Sequence, residues 1–149
     1  MYKAIQIARW FVEWASAESA DLSNLKLQKL LYYAQGWNLA KRGTPLFEEE
    51  IQAWSHGPVV PTVYRAFRDF GSGDITLDGD FDWDSVDPET TQLLADVWST
   101  YGVFGAWQLR NMTHDEPPWR DHFTSDERFI EIPIPAIEKH FQSRLRSAN

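Results

Sequence analysis

Leu25-Lys26-Leu27-Gln28-Lys29-Leu30-Leu31-Tyr32-Tyr33-Ala34-Gln35-Gly36-Trp37 is the stretch on which the fold turns. It carries more aliphatic and aromatic surface than a helix buried on one side needs, so it reads as a helix packed on several sides. Leu27, Leu30, Leu31, Ala34 and Trp37 line one face. Ser23 or Asn24 can cap its start, because either side chain accepts a hydrogen bond from an early backbone N–H. Gly43 stands where a left-handed helix end favours a residue without a β-carbon.

Outward from this helix the chain alternates helical patterns with turn signals. Residues 2–17 place Ile5, Ala8, Val12 and Ala15 at helical spacing, widened by Trp10, Phe11 and Trp14. Downstream, Ile51-Gln52-Ala53-Trp54 alternates as a short strand, and Ala53-Trp54-Ser55-His56-Gly57-Pro58-Val59-Val60-Pro61 reads as a rigid turn between two ordered elements. Pro61 suits the first turn of a third helix, where its missing N–H costs nothing, and Gly71 ends that helix. Residues 72–86 lack periodicity and read as a long loop. Asp87-Pro88-Glu89 opens a helix through Tyr101, and Gly102 and Gly105 bracket a corner before another from Ala106 to about Met112.

Glu116-Pro117-Pro118-Trp119 reads as extended or a turn. The alternation in Phe129-Ile130-Glu131-Ile132-Pro133-Ile134 predicts a second strand, pairing with 51–54, with Pro133 at an edge or bulge. Pro135 starts a last helix through Ile137, His140, Phe141 and Leu145. The expected architecture is mainly α: a compact single-domain helical bundle over 1–149 with a minimal two-stranded antiparallel sheet.

Charge and composition narrow the function. With no Cys the chain has neither disulfides nor thiolate chemistry, and a reducing, cytoplasmic setting is expected. No apolar run approaches the length of a membrane span and the N-terminus lacks a secretory pattern, so no membrane association is expected. The net charge is −8, and from Asp69 to Leu109 nine acids occur without a Lys or Arg. That field repels phosphate backbones, so nucleic acid is not an expected partner. Asp78, Asp80, Asp82 and Glu89 match positions 1, 3, 5 and 12 of a calcium loop. Trp83, however, occupies the position whose sharp turn needs Gly.

The four imidazoles, His56, His114, His122 and His140, lack the spacing of a metal-binding helix. No nucleophile elbow, phosphate loop or dinucleotide fingerprint is present. No catalytic residue, metal or cofactor is therefore expected. Trp37, Trp54, His56, Pro58 and Tyr64 flank the signature turn, either as core packing or as a rigid docking surface of types favoured at interfaces. Lys26 and Lys29 read as a solvated helix edge.

The stretch 25–37, then Pro45-Leu46-Phe47, then Ile51 through Pro61 with Val63-Tyr64, resembles the Panacea domain of SocA-like antitoxins and GepA-like phage-associated proteins. Weaker agreement continues at Leu109, Met112-Thr113-His114, Pro118-Trp119 and Phe141. The resemblance implies the antitoxin half of a toxin–antitoxin pair. Its partner would be a cognate protein toxin, encoded by the adjacent gene and neutralised by direct binding. Lys29, Gln35, Trp54, His56, Pro58, Tyr64 and Arg65 are the residues expected to touch it. An adaptor that delivers the toxin to a cellular protease is the alternative within the binding class. A hydrolase pairing His56 or His114 with a carboxylate is the alternative outside it.

Overall fold

A computed structural model of the protein describes residues 1–147; positions 148 and 149 of the expected unit lie outside them. Tyr2 does not begin a helix but runs beside Phe47 as an isolated parallel bridge, its N–H donating to Leu46 O. The first helix, α1, follows at Ala4–Ala17, and α2 at Asn24–Arg42. Ser23 caps α2 by accepting from the Lys26 N–H, and Gly43 closes it in the left-handed region at φ 77°. Both ends were legible because each answers a backbone need that few side chains meet.

α2 is the hub. Its buried set runs around the whole circumference, from Leu27, Leu30 and Leu31 to Tyr32, Tyr33, Ala34 and Leu39. The strands β1 (Gln52–Trp54) and β2 (Gly57–Val59) form a hairpin against it, and α3 (Pro61–Ala66) continues into a 3-10 turn at Arg68–Phe70. The sheet gains one strand over the two that the alternation suggests. β3 (Ile130–Glu131) pairs antiparallel with β1 as predicted, and the residues of the signature turn supply the third strand, giving the order β2-β1-β3. Gly57-Pro58-Val59 escaped notice because Pro58 lacks a donor; at the sheet edge that loss is harmless.

α4 (Pro88–Tyr101) is capped by Asp87, whose carboxylate accepts from the Thr90 N–H at 2.8 Å. α5 (Ala106–His114) follows the Gly102–Gly105 corner. The next segment corrects the sequence reading: Pro117–Arg120 is not extended but a short helix, α6, with both prolines in the first turn where no N–H is needed. The last helix, α7 (Ile134–Ser147), packs along α2. The loop at 72–86 is a strap rather than a free excursion. Ile75 donates its N–H to Leu22 O, and Phe81 and Trp83 pack edge-on, with Trp83 against Trp10 and Trp14 of α1.

Helices α2 and α7 touch at Gly36, where a β-carbon would stand 2.6 Å from Phe141 Cζ and closer still to two other ring atoms. In an ordinary helix interior, Gly→Ala gains up to about 1 kcal/mol. Here overpacking outweighs that gain, at a cost of ~1–3 kcal/mol. Gly36→Ala is expected to lower the denaturation midpoint; a raised midpoint would show that α7 is not seated on α2 in this way.

Candidate functional site

The polar residues of α2 explain how a helix with so much apolar surface tolerates Gln and Lys. They are buried and hold the backbone of the segment that follows. Gln35 is fully buried: its Nε2 donates to Phe47 O at 3.0 Å, and its Oε1 accepts from the Leu46 and Phe47 N–H groups. Gln28 Oε1 accepts from the Val60 N–H at 2.9 Å, and Asn24 Nδ2 donates to Tyr64 O at 3.0 Å. Lys29 is fully buried as well, and its Nζ donates to Pro58 O at 3.0 Å. Lys29, Gln35 and Pro58 therefore do not form a surface, and Lys29 is not a solvated helix edge. Their role in the docking reading is to fix the hairpin from beneath, because buried backbone groups demand partners.

What the hairpin presents outward is aromatic. Trp54, His56 and Tyr64 are each half-buried and in mutual contact. Ring centroids are 5.0 Å apart for Trp54–Tyr64, 5.9 Å for Trp54–His56 and 6.1 Å for His56–Tyr64. Trp54 is held in place by its own Nε1 donating to Gln52 Oε1 at 2.9 Å and by Trp119 Nε1 donating to Trp54 O at 2.7 Å. Phe129 extends this ridge, 6.3 Å from Trp54, and is 63% exposed. Its φ of 62° lies in the left-handed region, which disfavours a bulky side chain. Phe129 stands between two cavities, one of about 410 Å³ bordered by Arg65, Pro61 and Glu50, the other of about 210 Å³ bordered by Trp54 and Phe123. The structure thus joins Trp54, His56 and Tyr64, with Arg65 at the margin. Phe129 was seen only as the start of a strand; its exposure follows from the left-handed turn, which the alternation does not reveal.

Among the described residues, the imidazole within ion-pair distance of a carboxylate is His140, beside Glu116. His56 is pushed down to about 4, first by burial and then by the positive charges of Lys29 and Arg110 with His114. His114 stacks face to face on Trp119 at 3.7 Å and is likewise shifted down, mainly by burial. His140 does approach a carboxylate, Glu116, at 3.7 Å, but both side chains are about nine-tenths buried. Glu116 accepts from the Tyr32 and Tyr33 hydroxyls at 2.8 and 2.9 Å and lies 3.5 Å from Arg144. Burial raises its carboxyl against the two tyrosine bonds. This cluster ties α2 to α6 and α7. Among the described residues no group of three His, Cys, Asp or Glu is placed to hold a metal ion, and no helix is long and apolar enough to cross a membrane.

Burial lowers the Lys29 ammonium to about 7, with Arg110 adding to the shift. The unfolded chain therefore binds more protons at this site than the folded one between pH 7 and the ordinary lysine range near 10. The stability contribution of Lys29 is complete above that range and is lost as pH falls through 7. Lys29→Met is expected to flatten the rise of unfolding free energy between pH 7 and 10. Equal slopes in the two proteins, followed by denaturant melts across that range, would contradict the buried placement.

Comparison with known proteins bears on the family of the chain. The family model described as "Antitoxin SocA-like, Panacea domain" matches residues 27–120, which hold most of α2, the hairpin and α3 through α6. The protein named "Antitoxin SocA" of Caulobacter vibrioides (strain NA1000 / CB15N) is 46% identical over 61 residues, 41% of this chain and 32% of that relative. The match thus spans about a third of the relative's length. No solved structure matches the chain. With more than half of its residues inside the family model, the chain belongs to the SocA-like antitoxin family and carries its Panacea domain.

Proposed function

We propose that this protein is an antitoxin that neutralises a cognate protein toxin by binding it directly, using the ridge Trp54–His56–Tyr64–Phe129 with Arg65 at its edge. The observation that carries this reading is the ridge itself. Four rings stand partly or largely exposed on a hairpin whose backbone is pinned from below by buried polar side chains. Large rigid rings bury much area at little rotamer cost, which is why a few such residues dominate binding energies. Phe129 adds a second support: a phenylalanine kept exposed in a left-handed conformation serves neither the core nor backbone comfort. The toxin would be covered rather than chemically altered, and the neighbouring gene is the place to look for it.

Two substitutions test the ridge. Trp54→Ala is expected to weaken the complex with the neighbouring gene product by at least about 30-fold, the loss typical of a central anchor. Phe129→Gly is expected to weaken it too while leaving folding stability within about 1 kcal/mol, because relief of left-handed strain offsets the added backbone freedom. Titration calorimetry and growth rescue on co-expression read both. Unchanged affinity in both variants would remove the ridge from the interface, and an absence of any complex would remove the antitoxin reading.

A further inference from the structure

Beneath the hairpin tip lies a buried amine for which the described residues provide no counter-ion. When protonated, Lys29 Nζ has three protons to donate, and its acceptor is the neutral Pro58 O. Around it stand Arg110 and His114, on one face of α5, and His56 from the hairpin turn. The charges of Lys29, Arg110 and His114 all bear on His56. Three nitrogens of this group, His56 Nδ1, Arg110 Nε and His114 Nε2, are buried without a hydrogen-bond partner. Among the described residues no Asp or Glu makes an ion pair with any of the four, although the chain has 22 acids against 14 bases. The backbone also gives way here. Gly57, at φ 114°, lies so close that a β-carbon would stand 2.6 Å from Lys29 Cε and 3.0 Å from Thr113 Oγ1.

Buried polar groups normally find partners, so a cluster of basic side chains with unused nitrogens and no carboxylate calls for an external acceptor, whose negative charge would also draw protons back onto Lys29 and the two imidazoles. We propose that Lys29, His56, Arg110 and His114 form an oxyanion site that takes one carboxylate or phosphate-type group. Lys29 meets the ligand from below and supplies a charge-assisted hydrogen bond. Arg110 and the half-buried His56 turn their unused nitrogens toward it from the side. The ligand is a single compact anion and not a polyanion, because the acidic stretch from Asp69 to Leu109 repels extended negative charge. Such a group reaches the site either as an acidic side chain of a docked protein or as a free phosphate-type molecule. The site shares His56 with the aromatic ridge, but it needs no toxin in order to be filled by a free anion.

The test uses the full chain alone. Isotope-labelled protein is titrated with sodium phosphate and, separately, with sodium acetate at constant ionic strength, with sodium chloride as reference, and the Lys29, His56 and His114 side-chain resonances are followed by NMR. Saturable shifts are expected, weakened at least about tenfold in Arg110→Gln and in Lys29→Met, as loss of a charge-assisted bond requires. Arg110→Gln is the safer variant, since Arg110 is only half-buried and its other polar contact is with Asn111 beside it; the amide spectrum confirms the fold. Saturation by phosphate at the lower concentration assigns a free phosphate-type ligand. Saturation by acetate at an equal or lower concentration assigns a carboxylate, as from Asp or Glu. Shifts that do not saturate, that chloride reproduces, or that both variants retain overturn the site and leave the cluster to water.

Discussion

A helix buried on every side must still find partners for whatever polar side chains it carries, and in this protein that requirement organises the rest. Asn24, Gln28, Lys29 and Gln35 project from α2 into the interior and each takes up backbone groups of residues 46–64. A hairpin of three-residue strands has little stability of its own. Held by side chains that have no other outlet, it becomes a fixed platform. The arrangement also makes α2 intolerant of replacement on its polar positions, because removing one partner strands a buried donor or acceptor.

A second constraint acts within the same turns of the helix. Tyr32 and Tyr33 both donate to Glu116, and Phe141 fills the space left by Gly36. Through these contacts α2 is tied to α6 and α7 as firmly as to the hairpin. The hairpin is in turn fastened to the far side by the bond from Trp119 Nε1 to Trp54 O. The ridge therefore rests on two independent supports. That suits a binding surface, since groups already held in place lose less freedom on association.

Much of this was readable in the residues. The caps at Ser23, Gly43 and Asp87 were legible because they meet specific backbone demands, and the pairing of the 129–134 segment with 51–54 followed from alternation. The helical turn at Pro117–Arg120 was not legible. Two adjacent prolines argue against a helix unless both fall in its first turn. Of the residues expected to dock a partner, Trp54, His56, Tyr64 and Arg65 reach the surface. Lys29, Gln35 and Pro58 do not, because nothing in local spacing tells a solvated lysine or glutamine from one that pins a backbone. Phe129 and Arg110 escaped for the converse reason: what places them beside Trp54 and His56 is contact between segments distant in the chain.

The ridge also has an order of assembly written into it. Trp54, His56 and Tyr64 are made early, but Trp119, which secures Trp54, and Phe129, which extends the row, are synthesised long after. A nascent chain on the ribosome has the hairpin before it has the fasteners. The complete ridge therefore exists only once translation has passed β3, and shorter nascent products lack it.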